Sequence, residues 1–517
     1  MAASHVVGVD VGTMGTKAAV YDQDGMLKGA AFEESRLVYP RPGWVEQDPD
    51  DIYGSVVRTV RRAIEQSAVP PADIVSVALD GQMAGVCTVD ADWNAPTHYD
   101  SWLDNRCAPQ ILQLRRCENE ILASSGCVPS YSHGPKMLYW RDAQPEAWSR
   151  IAAFLPPAAY VAGRLAGLKG RDAFMDRTHL NFSTFGDTAR ACWNTTLLRE
   201  FDLTTAKLPR ITEPWEIIGR VTRDAARVTG LREGTPIAAG CGDQAANVLG
   251  AGITEPGTVF DTSGTAALFS SVIDRFETDR AYKTLMTCPH VVPGLYYAMA
   301  YVAGGGLNLR WFRDTVCAEE CLRWQAAGRN PYEALDAMAA EVSPGSDGLV
   351  FIPHLGGRNT PNDTNMRGVF FGLTWKHGKA QMMRAIMESV AFEYALYLRS
   401  VKELAPGLSY TRALNIGGGA RSRVFRQIKA DTLGLFYHGL DREEVGTLGS
   451  AIVAGHAVGL FPDLAGTARA FSRPAGETVA PDPVAHRAYA RYAAFYAEML
   501  EDTAGLFARH AALPRAV

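Results

Sequence analysis

Nothing in this 517-residue chain supplies a disulfide framework. Its nine cysteines are odd in number, scattered and without a C-x-x-C pair, so neither a set of crosslinks nor a zinc site is expected. A reducing, cytoplasmic setting suits such thiols. Long apolar runs are missing too: no uninterrupted stretch reaches the ~18 residues of a membrane span. The first apolar run starts at His5, which leaves no room for the basic and apolar regions of a secretory signal. Positive charge is not in excess, since Lys+Arg 51 against Asp+Glu 56 gives a net charge of −5. That balance offers no general attraction to nucleic acid or to an anionic membrane, and it leaves small neutral substrates open. Low-complexity segments are absent. What is present is a 47% hydrophobic content, enough for sizeable cores, in a chain too long for one of them. At roughly 100–200 residues per domain, two large domains or several small ones are expected.

The most informative segment is the start. His5-Val6-Val7-Gly8-Val9-Asp10-Val11 runs into Gly12-Thr13-Met14-Gly15-Thr16-Lys17, and Ala18-Ala19-Val20-Tyr21 then leads to Asp24-Gly25. Two apolar runs around a Gly/Thr turn, followed by an Asp-Gly pair able to take positive φ at both central positions, predict strand, turn, strand, tight turn, strand. A Walker A loop is excluded, because no helix follows the turn and the GxxxxGK[ST] spacing is absent. The pattern is instead that of the ATPase fold shared by actin, the 70-kDa heat-shock chaperones and the sugar kinases. There, backbone N–H groups around Gly12 and the Thr13 and Thr16 hydroxyls can face ATP phosphates. The plain alternative is an ordinary Gly-turned hairpin.

Context favours the first reading. Asp48 suits a helix N-cap, Pro49 the first helical position, and Asp50 and Asp51 the positive end of the dipole. Ile52, Val56, Val57, Val60, Ala63 and Ile64 recur at helical spacing, Pro70-Pro71 ends the run, and Ile74–Leu79 alternates as a strand. Three antiparallel strands, a helix and a strand are the order of a ribonuclease-H-like domain. A helical middle is expected to about residue 230, then a strand at 235–239. The opening pattern returns at Gly257-Thr258-Val259-Phe260-Asp261-Thr262-Ser263-Gly264-Thr265-Ala266, so a duplicated domain gripping one phosphate chain from both sides is expected. The boundary falls near 248–256, giving domains 1–250 and 251–517 in an α/β protein with an active-site cleft between them. Near the C-terminus, Tyr489, Tyr492, Tyr496 and Met499 lie at helical spacing, a pattern of core or dimer packing.

Two further turns carry chemistry. Gly240-Cys241-Gly242-Asp243-Gln244-Ala245 follows a predicted strand and, with Asp261 further on, mimics a dinucleotide fingerprint. A carboxylate at 243 would oppose a pyrophosphate, however, and the dehydrogenase reading leaves both Gly-Thr turns unexplained. Facing a neutral hydroxyl, Asp243 makes sense as a general base for phosphoryl transfer to an alcohol. Gly417-Gly418-Gly419 after Leu414-Asn415-Ile416 would let an adenine ring approach backbone without Cβ clashes, or would simply turn a strand into a helix.

Taken together, the chain resembles the FGGY carbohydrate kinases along nearly its whole length, most closely their xylulose kinase branch. The segments that carry this are GVDVGTMGTKAAVYDQDG, PGWVEQDPDD, DGQMAG, SWLDNR, GCGDQAANVLGAG, DTSGTAALF, GLVFIPHLGGRNTPND, RGVFFGLTW and NIGGGARS. The family's second signature is met at Gly368, Phe370, Gly372, Leu373, Gln381, Met382, Ala385, Ile386, Met387 and Glu388. In the first signature, Tyr139 stands where Trp is expected after Lys136-Met137-Leu138.

The resemblance implies two actin-type ATPase domains and an ATP- and Mg²⁺-dependent kinase of a small ketose, D-xylulose first. It implies Asp243 as catalytic base and Asp10 as the carboxylate that holds Mg²⁺ and the phosphates through water. Gly12, Thr13 and Thr16 would form the first phosphate loop, Ser263, Gly264 and Thr265 the second, and Gly418, Gly419 and Ala420 the adenosine site. Gln82, Met83, Ala84, Trp102, Asp104 and Gln244 would line the sugar pocket, with Trp44 and Glu46 near it; for the two tryptophans core packing is the other reading. Two departures touch substrate reading. Ala84 stands where the branch has His, and Gly356-Gly357-Arg358-Asn359 where it has Ser-Gly-Glu-Arg. A different ketose or a polyol is therefore the alternative substrate, and an ATP-binding chaperone or filament protein, or a sugar sensor, is the alternative of another class.

Overall fold

The computed structural model describes residues 4–442 and 444–513. Its first sheet is built as the opening pattern predicts. Strands β1 (His5–Val11), β2 (Gly15–Asp22) and β3 (Leu27–Glu34) form an antiparallel meander, and β4 (Ile74–Gly81) lies parallel to β1. Beyond β4 come β5 (Ile217–Arg220) and β6 (Pro236–Ala238), with the two-residue strand β7 (Cys241–Gly242) also on β4, seven strands in all. The tight turn departs in detail from the expected one. Only Gly25 takes positive φ, while the Asp22 carboxylate accepts from the N–H groups of Asp24 and Met26 and holds the turn. Helix α1 (Pro49–Ser67) starts as its capping residues dictate, the Asp48 side chain accepting from the Asp50 N–H at 2.8 Å. Its apolar stripe of Ile52, Val56, Val60, Ala63 and Ile64 is buried against the sheet. The helix ends at Ala68, in the left-handed conformation, before the Pro pair is reached.

The middle of the chain is less helical than expected. Helices such as α2 (His133–Ala143) alternate with 3₁₀ turns and with short strand pairs, Phe174–Asp176 with Arg210–Thr212 and Gly186–Asp187 with Cys192–Trp193. Helix α3 (Asp243–Gly250) then leads to the second sheet: β8 (Val259–Ser263), β9 (Ala267–Ile273), β10 (Met286–Pro289), β11 (Tyr296–Val302), β12 (Arg412–Ile416), β13 (Phe436–Leu440) and β14 (Pro474–Val479). Here β8, β9 and β11 repeat the antiparallel meander, and β12 lies parallel to β8, so the order of the first sheet recurs.

Between the sheets lie α3 and α6 (Gly446–Ala457), which pack on each other. Helix α6 comes from the second half of the chain, yet it packs on β1, β2 and β4 of the first sheet. The approach is close enough to require glycine: a Cβ at Gly8 would lie 1.9 Å from the Thr447 carbonyl oxygen. Tyr21 and Thr447 share a hydroxyl hydrogen bond of 2.9 Å across this contact. One apolar cluster runs through both sheets, joining Val6, Tyr21 and Ala78 to Phe260, Tyr297 and Leu414 by way of Ala245 and Leu448. The long helices α4 (Lys379–Leu404) and α7 (Pro483–Ala511) cover the second sheet's core. In α7, Tyr489 and Tyr496 are buried and donate hydrogen bonds to Glu388 and Glu393 of α4. Core packing accounts for these tyrosines. Among the described residues no helix is long and apolar enough to cross a membrane.

Candidate functional site

The parallel register of β1 and β4 sets Asp10 beside Asp80, and the register of β4 with β7 sets Cys241 beside Asp80, which brings Asp243 next in line. Three carboxyls therefore converge at the C-terminal ends of parallel strands. Asp80 is wholly buried and its Oδ2 accepts from Ser450 of α6 at 2.5 Å. The Oδ1 atoms of Asp10 and Asp80 are buried with no protein partner. Burial pushes Asp10 up to about 6, the nearby Lys17 ammonium opposing the rise. Asp80 is raised well above the carboxylate range by burial and then by Asp10. Asp243, the first residue of α3, is pushed up to about 7, by burial first and by the negative charge of Asp10 second. The Gln244 N–H, donating to its Oδ1 at 2.6 Å, works the other way. A carboxyl tuned near neutrality can both hold and accept a proton at physiological pH.

The turn expected to hold the first phosphate is a compact backbone loop. The Gly12 N–H donates to the Gly15 carbonyl at 3.1 Å, and a Cβ at 12 would come within 2.8 Å of that oxygen, so only glycine fits. Thr13 links this turn to the expected sugar side. Its hydroxyl accepts from the Trp102 indole at 2.7 Å and donates to Gln82 at 3.1 Å, and Gln82 donates to Gln47 at 2.8 Å. Thr16 is elsewhere. It is buried, and its hydroxyl is engaged with Ser55 of α1 at 2.7 Å, because the alternation of β2 turns it under the sheet. The expectation that Thr16 faces phosphate is corrected accordingly, and Gly12 and Thr13 carry the turn. Lys17, which the sequence reading did not single out, does reach this region: it sits opposite Asp10 in the β1–β2 register and pairs with Glu444 at 2.8 Å. That cross-strand register is the signal that would have found it.

The second turn and the triple glycine meet. A Cβ at Gly419 would lie 2.7 Å from that of Ser263, which puts the Gly418-Gly419-Ala420 turn against the Ser263-Gly264-Thr265 loop. Gly264 and Thr265 are at the surface, their carbonyl oxygens accepting from Gly306 and Leu307 at 3.0 Å. Ser263 is not at the surface. Its buried hydroxyl is bound by Lys429 at 2.5 Å and donates to Asp261 at 2.9 Å, so it supports the loop from beneath.

Among the expected sugar residues, Met83 packs against Gly242, within reach of the Asp243 turn, and Ala84 beside it has φ 65°. Trp102 is half-exposed and Gln244 follows Asp243 directly. Asp104 is buried and its carboxylate is fully engaged. Its Oδ1 accepts from the Arg106 N–H and Nε, its Oδ2 from Arg106 Nη2 and the Val45 N–H, so no lone-pair direction remains. Arg106 also donates to Glu46 at 2.6 Å and lies 4.0 Å over the Trp44 ring. Asp104, Glu46 and Trp44 thus form one closed cluster around a buried arginine. That corrects the expectation of a sugar-facing Asp104. Arg358 Nη2 donates to Glu393 at 3.1 Å, and its buried Nε has no partner.

No group of three or more His, Cys, Asp or Glu among the described residues is placed to hold a metal ion directly. Of the two carboxylates with an orphaned buried oxygen, Asp80 is wholly enclosed, and Asp10, beside the Gly12 turn, fits a cation held through water.

Comparison with known proteins agrees with this geometry. Residues 5–250 match the N-terminal domain, and 259–458 the C-terminal domain, of the FGGY family of carbohydrate kinases. The chain is 27% identical to a xylulose kinase of Staphylococcus epidermidis over 511 residues, covering 97% of this chain and 98% of that one. It is also 27% identical to a gluconokinase of Bacillus subtilis, covering 88% of each. Its fold is that of a crystallised xylulose kinase from Lactobacillus acidophilus, with TM-score 0.90, 22% identity and coverage of 98% and 100%. With its paired actin-type domains and both family models matched in order, the chain belongs to the FGGY family of carbohydrate kinases.

Proposed function

We propose that this kinase transfers the γ-phosphate of ATP to a hydroxyl of a small neutral ketose, D-xylulose before others. The observation that carries the reading is Asp243: a carboxyl held near neutrality at the head of α3, within the field of Asp10. In this reading Asp243 takes the hydroxyl proton as the bond to phosphorus forms, and Asp10 holds Mg²⁺ through water. Bound there, Mg²⁺ neutralises phosphate charge. The Gly12-Thr13 and Gly264-Thr265 loops hold the phosphates, and Gly418, Gly419 and Ala420 take the adenosine. Residues 1–250 hold the sugar and 251–517 the nucleotide, and closure of the cleft between them excludes water so that the sugar is the acceptor. The nine free thiols support a cytoplasmic location.

A coupled ADP-release assay over D-xylulose, D-ribulose, fuculose, rhamnulose, ribitol, xylitol and glycerol tests this. The highest kcat/KM is expected for D-xylulose, and ADP release that no sugar stimulates would remove the proposal.

Ala84 keeps another ketose or a polyol as the second reading. With a methyl where the branch has imidazole, one sugar hydroxyl loses a partner, and such a loss weakens discrimination by about 1–3 kcal/mol. The left-handed backbone at 84 tolerates histidine. Ala84→His is expected to raise kcat/KM for D-xylulose relative to D-ribulose by about tenfold, or about 1.4 kcal/mol. An equal loss on both sugars would show that the position is already compensated.

A further inference from the structure

Two buried histidines next to the Asp243 turn have no place in the mechanism above. His133 opens α2 and is 5% exposed; His179 sits in the 3₁₀ turn Arg177–Phe182 and is 1% exposed. Their rings stack, with centroids 6.3 Å apart and planes 25° apart. The Nε2 atom of each is buried and has no hydrogen-bond partner. A buried polar atom left unpaired is costly, so two side by side mark a place where something else binds.

The turn that carries His179 is tied to the head of α3. The Gly242 N–H, immediately before Asp243, donates to Thr178 Oγ1 at 2.8 Å, and the Thr178 N–H donates to Asp176 at 2.9 Å. His179 is an electrostatic neighbour of Asp243. Phe182, at the end of the same turn, packs in one cluster with Met83 and Ala84. Asp104, filled by Arg106 and the Val45 N–H, does not serve the hydroxyl left open at Ala84.

We propose that His179, with His133 stacked beside it, is a substrate-binding residue of the sugar pocket, its Nε2 accepting a hydroxyl proton from a neutral polyhydroxy substrate. The proposal rests on the kinase reading above and deepens it. The direction of the bond follows from the other ring nitrogen. Nδ1 of His179 is 2.7 Å from Asp176 Oδ2, and a carboxylate oxygen only accepts, so Nδ1 carries a proton; in a neutral imidazole so oriented, Nε2 is the acceptor. The His133 ring is held neutral, pushed down to about 3 by burial first of all. With Asp243 as its neighbour, this wall offers acceptors. It suits a ketose or polyol hydroxyl and opposes the carboxylate of a sugar acid.

His179→Asn tests the assignment, because the Asn amide can keep the donor to Asp176 while the Nε2 acceptor is lost. Steady-state kinetics of the full-length enzyme should show the KM for the best neutral sugar of the panel raised about tenfold. The kcat should stay within about twofold and the KM for ATP unchanged, a split that a merely structural role would not give. Gluconate should be a poor substrate for wild type. An unchanged sugar KM in a folded variant would overturn the proposal. A variant that fails to fold is replaced by wild type labelled with ¹⁵N in its histidine rings and titrated with the panel sugars. Movement of the His179 Nε2 resonance on saturation is expected, and its constancy with every sugar would overturn the assignment. The titration reads binding alone, so absence of sugar-stimulated ADP release removes the kinase reading while the ring resonances still decide the pocket.

Discussion

Replacing Asp243 by asparagine is expected to lower kcat by about 10²–10⁴-fold, the contribution typical of a positioned general base. Asparagine keeps the shape and the hydrogen bond from Gln244 but cannot accept the substrate's proton. The KM values for ATP and sugar should change little, because the interaction removed is made only as the reaction proceeds. The pH dependence gives an independent check. A carboxyl whose pKa is raised to about 7 is protonated, and idle as a base, below that pH. Wild-type kcat/KM, which reports the groups of the free enzyme, should therefore rise with pH through about 7 and level off above it. The rise comes from burial and from Asp10, so weakening the negative charge at 10 should move the midpoint down. Wild-type-like turnover in Asp243→Asn, or a variant that keeps the same pH profile, would rule out the role.

Local features of this chain were legible in its sequence because their causes are local. The β1–turn–β2 unit follows from alternation and two glycines, and the start of α1 from Asp48 and Pro49. The recurrence of the Gly-Thr turn at Gly264 carried the duplicated sheet order. What the sequence hid was set by partners distant along the chain. Thr16 looked like a phosphate ligand until Ser55, on another element, took its hydroxyl. Asp104 looked like a sugar ligand, and its motif even contains Arg106, but only the fold turns that arginine back to fill both carboxylate oxygens. Helix α6 sits on the first sheet although it belongs to the second half, a placement no periodicity reports. Single histidines such as His133 and His179 carry no spacing signal at all. Their meaning comes from stacking and from Asp176.

The second large effect is expected beneath the other proposed phosphate loop, at Lys429 of α5 (Arg423–Leu433). This lysine is 1% exposed, and its Nζ donates to Asp261 Oδ2 at 2.6 Å and to Ser263 at 2.5 Å. Tyr394 donates to the other Asp261 oxygen at 2.9 Å, and Asn415 to the Asp261 carbonyl at 3.0 Å. Burial lowers the Lys429 pKa while Asp261 opposes that shift, as expected of a buried ion pair. Lys429→Met leaves the Asp261 carboxylate buried without its counter-charge, and breaking such a pair costs about 3–5 kcal/mol. Chemical denaturation should record that loss. The double variant Lys429→Met with Asp261→Asn removes both charges and should recover most of the stability, since an uncharged pair leaves no ion unpaired. If Lys429 also positions the Ser263-Gly264-Thr265 loop, the recovered double variant should still show a raised KM for ATP, with the KM for sugar unchanged. A single variant as stable as wild type would show that the pair is not what holds this loop. Recovery of both stability and the ATP KM would reduce Lys429 to a counter-ion with no part in nucleotide binding.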